Sequence, residues 1–294
     1  MLLLCCLASC AAPRSTPNPT ATVAPAARTM TTQLTELDGR QVEYWAHHVP
    51  DGKATLVFES GLMLPLSTWQ AVTDAFTSCC NMLAYNRPGV ELSAEAESAT
   101  DPVQRVEQLR QLLQAQQLPP PYILVGHSLG GQYAQLFATR FPEQVSAMLL
   151  VDALPVGIVK PSDEFPWFTR FGLTLFAPGY VQREVDGIYP MGELVAAAAG
   201  SFDKPMIRIV AVADPPPPPP QGLIKDLLNG VLYASDFGVW LVEPDIGEQR
   251  MDVLYPHADV RRINAVHRIQ ESMPAVVVAA IQDLMEKMQI DALK

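Results

Sequence analysis

From residue 31 onward, short apolar runs alternate with stretches of helical period. Runs at 41–49, 54–59 and 81–85 predict strands. Residues 102–118 predict a helix: Asp101 can cap it, Pro102 suits its first turn, and Val103, Val106, Leu109 and Leu113 recur on one face. A continuous apolar strand at 122–125 precedes a helix at 130–141 and a buried strand at 145–151. Strands follow at 206–212 and 260–266, then an amphipathic helix at 274–288. Strands alternating with helices predict an α/β fold with a mostly parallel, doubly wound sheet covered on both faces.

Residues 153–204 break the alternation. They hold Phe165, Trp167, Phe168, Phe171, Leu173, Leu175, Phe176 and Tyr180 without a clear strand. An insertion of this size is usually functional. It reads as a helical cap whose aromatics pack with one another or line a substrate pocket, with Trp167, Phe168 and Phe171 as the expected lining. Six prolines at 215–220 predict a stiff extended stretch on the surface.

Length and charge narrow the classes of function. The 294 residues are ample for a large core, and the formal charge of −11 makes nucleic acid a poor partner. No apolar run after the N-terminus reaches the length of a spanning helix, which excludes a polytopic membrane protein. The five histidines lack metal-ligand spacing. Cys79 and Cys80 are neighbours, too close for an unstrained bridge. Neither a metal nor another cofactor is expected.

The N-terminus reads as an address. Residues 1–9 (MLLLCCLAS) are apolar and short, and Leu7-Ala8-Ser9-Cys10 resembles a bacterial lipoprotein processing site, although no Lys or Arg precedes the run. Residues 10–30 are rich in Ala, Pro and Thr and read as a disordered tether ahead of one domain at 31–294. The expectation is an exported envelope protein held to the membrane only by lipid on Cys10. A cleaved secretory signal is the alternative.

The chemistry gathers where the strand at 122–125 meets its helix. Gly126-His127-Ser128-Leu129-Gly130 is a G-x-S-x-G sequence between a buried strand and a helix. The glycines relieve crowding in a tight turn that lifts the Ser128 hydroxyl off the sheet, and the Leu129 amide at the helix N-terminus can face a developing oxyanion. This strand–turn–helix resembles the nucleophile elbow of the α/β-hydrolase superfamily, and the resemblance spans residues 36–290.

A serine hydroxyl needs a base. The superfamily order of Ser, acid, His points to His267, between the last strand and the terminal helix. His127 sits inside the elbow and reads as packing. Two acids are open, because Asp152 and Asp214 each end an apolar strand; Asp152 is favoured, since six prolines follow Asp214. Where the family shows His-Gly this chain has Ser60-Gly61, and the resemblance assigns a second oxyanion amide to Leu62. Tyr85-Asn86-Arg87-Pro88-Gly89 resembles the family's Asp-Arg-Pro-Gly turn, with Asn for Asp, and reads as architecture. A serine rather than aspartate nucleophile implies a small-molecule ester substrate cleaved through an acyl-enzyme. Acyl transfer, amide or lactone hydrolysis, C–C hydrolysis, and an inactive binding protein are the alternatives.

Overall fold

The computed structural model describes residues 30–96, 101–198, 200, 202–212, 238–242 and 244–292. Its strands are β1 (Gln33–Leu37), β2 (Arg40–His47), β3 (Thr55–Glu59), β4 (Asn81–Tyr85), β5 (Tyr122–His127), β6 (Val145–Val151), β7 (Met206–Val212) and β8 (Asp259–Asn264). The helices are α1 (Pro102–Ala115), α2 (Leu129–Arg140), α3 (Trp167–Phe176), α4 (Gly179–Asp186), α5 (Ile188–Ala197), α6 (Pro244–Leu254) and α7 (Pro274–Ala292), joined by single helical turns.

All eight strands join one sheet in the order β1-β2-β4-β3-β5-β6-β7-β8. β2 runs antiparallel to β1 and β4, and the strands from β4 across to β8 are parallel. Burial explains why. β3, β4 and β5 are buried at every position and carry apolar residues on both faces. Val57, Leu83, Leu124 and Met148 face a core built with α1 and α2. Their neighbours Leu56, Phe58, Ile123, Val125 and Leu149 face a second core, with Trp69 and with Val277, Ile281 and Leu284 of α7.

The polar edge strand β1 and helix α6 carry no pattern strong enough to predict them. α1 ends at Ala115, three residues short of the expected stop. Asp101 caps it by accepting from the Val103 amide at 2.9 Å. Met30, the last residue of the expected tether, is buried, and its amide donates to Gln70 Oε1 at 2.7 Å. The signal, the rest of the tether with Cys10, the proline run and Asp214 lie outside the described residues.

α3, α4 and α5 lie between β6 and β7 and form the inserted helices. Residues 238–242 join them through a bridge between Val159 and Trp240. α4 docks on the turn after β4. There Gly89 has φ +86°, and a Cβ would fall 2.3 Å from Tyr180 Cγ, so glycine serves both the backbone and the contact. Among the described residues no helix is long and apolar enough to cross a membrane.

Candidate active site

β5 delivers Ser128 to the start of α2 with φ 52° and ψ −123°, a conformation costly for a residue with a Cβ. The surroundings hold it there. The Ser128 amide donates to Val151 O at 3.2 Å, and Ser128 O accepts from Gly131 at 3.0 Å and Leu154 at 3.0 Å. The neighbouring glycines are required by close approach: a Cβ at Gly126 would meet Gly130 O at 2.7 Å, and one at Gly130 would meet Glu59 O at 2.3 Å. α2 therefore starts directly against the end of β3. Leu129 is its first residue, so the Leu129 N–H has no acceptor within the helix.

Asp152 follows β6, also with positive φ (43°). Its amide donates to Ile209 O at 2.7 Å, and its Oδ1 accepts from the Ala211 amide at 2.9 Å. The other oxygen, Oδ2, lies 2.5 Å from His267 Nδ1. That contact assigns the Nδ1–H tautomer and leaves Nε2 as the free nitrogen. Ser128, Asp152 and His267 line one cavity of about 630 Å³. Ser128 Oγ has no hydrogen bond among the described residues, and His267 is more than half exposed.

His127 packs against His267. Its Nε2 donates to His267 O at 2.9 Å, and the two rings lie 4.7 Å apart. Burial, then the neighbouring His267, depress the His127 pKa to about 4, so it is neutral at physiological pH. A Cβ on Gly61 would fall 2.8 Å from His127 Nδ1, which excludes larger residues from that position.

The support of the Ser60–Leu62 loop is what sequence reasoning missed. Arg87 is buried and donates from Nη1 to Ser60 O at 2.5 Å and from Nη2 to Gly61 O at 2.7 Å. A trans peptide sets C=O and N–H in opposite directions. Pinning Gly61 O onto Arg87 therefore turns the Leu62 N–H away from it. Leu62, Ser128 and Leu129 line one cavity. Arg87 is held by Glu59 Oε2 at 3.3 Å and by a short contact from Nε to Glu184 of α4. Arg87 thus ties the inserted helices to the loop after β3. Burial pushes the Glu59 carboxyl up to about 7, against the opposing pull of Arg87 and the Tyr85 hydroxyl. The Arg-Pro-Gly turn was the available signal, but it shows nothing of partners 28 and 97 residues away.

A second cavity, of about 780 Å³, opens from Ser128 beneath α3, α4 and α5. Ser128 and Thr169 apart, the described residues lining it are apolar or aromatic. Phe168 lines it, together with Phe165, Leu173 and Phe176. Trp167 and Phe171 are exposed on the other side of α3 and are not among the residues lining it. Helical period accounts for this correction. Positions 168, 169, 172, 173 and 176 share the cavity face, whereas 167, 171 and 175 fall on the outer one.

Known proteins are similar to the chain at several levels. An uncharacterised protein of Bacillus subtilis (strain 168), YqjL, is 28% identical over 106 residues. That match spans 36% of this chain and 42% of the relative, well under two thirds of its length. Among solved structures, a haloalkane dehalogenase, DbeA, from Bradyrhizobium elkani USDA94 superposes with a TM-score of 0.64 at 12% identity, covering 89% of this chain and 99% of that one. A putative lipase from Acinetobacter baumannii AYE gives 0.58 at 14% identity, covering 90% and 93%. At such identities these two structures speak for the fold alone. A model of the alpha/beta hydrolase family matches residues 56–280, and with the sheet order and the strand–Ser–helix turn in place, the chain belongs to the alpha/beta hydrolase family.

Proposed function

We propose that the protein is a serine hydrolase cleaving carboxylic esters through an acyl-enzyme. The observation that carries this reading is the 2.5 Å contact of Asp152 with His267 Nδ1, in the same cavity as a strained Ser128. Ser128 Oγ attacks the carbonyl carbon and passes its proton to His267 Nε2. Asp152 holds the tautomer and stabilises the imidazolium. The amides of Leu62 and Leu129 receive the oxyanion. The tetrahedral intermediate then expels the alcohol, which takes the proton from Nε2. Water repeats the sequence on the acyl-enzyme, releasing the acid and restoring the serine. No cofactor enters the steps.

The apolar cavity takes the acyl chain in this reading. A screen of chromogenic esters of increasing acyl length, with Ser128→Ala as the blank, tests it. Turnover above the blank supports ester hydrolysis, and turnover equal to the blank at every length rejects it. Anchoring at Cys10 is a separate proposal, resting on Leu7-Ala8-Ser9-Cys10 and the Pro/Thr/Ala stretch behind it. Expressed from its natural start, the protein is expected in the membrane fraction with a lipid-sized mass addition, and Cys10→Ser is expected in the soluble fraction. A Cys10 without added mass, or fractionation unchanged by the substitution, rejects the anchor.

A further inference from the structure

Two cavities of opposite character meet at Ser128. The larger is almost wholly apolar; the other contains Asp152 and His267 and extends along α6 past Asp245, Glu248, Asp252 and Arg262. Ser128, Leu154 and Trp240 line both. An ester has two halves, and proton transfer decides which half enters which cavity. The leaving oxygen must receive its proton from His267 Nε2, so the alcohol lies on the His267 side. The acyl chain is left with the apolar side.

Among the described residues, the balance of charge on the alcohol side is negative. Asp152, Asp245, Glu248 and Asp252 face it, against Arg262. Buried Arg208 stands behind Glu248 and Asp252 and pairs with both, and Arg262 lies 3.7 Å from Asp252, so four carboxylates stand against two guanidinium groups. Asp245, exposed in the first turn of α6, has no ion pair among the described residues. Walls of one sign in a cleft raise the local concentration of the opposite charge and repel the same sign. Trp240, at the junction, offers an indole face on which an organic cation is stabilised.

We infer that the site is specific for the alcohol half as well as the acyl half: it takes apolar acyl esters of cationic alcohols and rejects alcohols or thiols carrying phosphate or another anion. This rests on the ester-hydrolase reading above and on the placement of His267. It sets simple amino-alcohol esters above phosphopantetheine-type thioesters as substrates.

The test compares two octanoyl esters, of choline and of 2-hydroxyethanesulfonate, which differ in the sign of a similarly sized head. Each kcat/KM is divided by the ester's own rate of alkaline hydrolysis. At about 10 mM salt the choline ester is expected to lead by at least about 10-fold. The lead should shrink severalfold at about 0.5 M salt, where exposed charges are screened within a few Å. Asp245→Asn should reduce the low-salt ratio. A ratio of one or less overturns the inference. So does a ratio that neither salt nor Asp245→Asn moves, because the discrimination would then be one of shape. If neither octanoyl ester nor any chromogenic ester is turned over above the Ser128→Ala blank, the ester-hydrolase reading itself fails, a result distinct from turnover without charge selection.

Discussion

Ser128 is held in a conformation that serine avoids, by hydrogen bonds to β6 and its exit loop and by glycines that leave no room for a Cβ. Ser128→Ala and His267→Ala are therefore expected to keep the fold, judged by circular dichroism, and to lose most ester turnover, by up to about 10⁶-fold. Asp152→Asn should cost about 10⁴-fold, the scale of a misassigned imidazole tautomer. Retained turnover in any of the three contradicts the assignment. Arg87 tests the loop that carries the proposed second oxyanion donor. Arg87→Lys keeps the charge but loses the planar fork that reaches Ser60 O and Gly61 O together. It is expected to lower kcat by about 10- to 100-fold with little change in KM, part of the cost of losing an oxyanion donor outright. Unchanged kcat would show that the loop holds itself. Ser128 and His267 can be singled out from the sequence because each sits where an element starts or ends. Between the two acids that end strands, the sequence favours Asp152 only through the prolines after Asp214, and the contact with His267 exists only in three dimensions. Arg87 stands out in the sequence only as part of the Arg-Pro-Gly turn, since both carboxylates that hold it come from distant segments.

At the scale of elements, the central strands could be read from sequence because they are buried on both faces and run continuously apolar. β1 could not: QLTEL at a sheet edge is largely exposed and has no buried stripe. Among its described side chains α6 presents buried Met251 and partly buried Leu254 to the core, too few to set a clear period. The aromatics at 165–176 showed that the insertion mattered, but composition alone does not reveal which side of a helix faces inward. α3 presents Phe168 and Leu173 to the cavity and Trp167 and Phe171 to the outside. Each CH₂ added to the acyl chain, if fully buried, is worth about 0.8 kcal/mol, or about 4-fold in kcat/KM, until the cavity is full. Leu173→Trp fills part of that space and is expected to move the optimum to shorter chains. Trp167→Ala, on the outer side, is expected to leave the profile unchanged. A profile that responds to Trp167 and ignores Leu173 would place the acyl chain elsewhere.

Across the whole molecule, two buried titratable groups near the site pull stability in opposite directions with pH. His127 has its pKa lowered to about 4 from an unfolded value of 6.5, so the unfolded chain binds more protons between these values and His127 adds stability as pH rises from 4 to 6.5. Glu59 has its pKa raised to about 7 from 4.5, so the folded chain binds more protons there and its contribution falls as pH rises from 4.5 to 7. Glu59→Gln removes the second effect. Urea unfolding of that variant should show stability rising more steeply between pH 4.5 and 6.5 than in the parent, and an identical slope would contradict the raised Glu59. Activation of Ser128 by His267 and Asp152 can be read by intact-mass spectrometry after treatment with a fluorophosphonate. A single adduct is expected, mapped to Ser128, absent from Ser128→Ala and formed far more slowly by His267→Ala. No adduct, or an adduct that persists in Ser128→Ala, would contradict it.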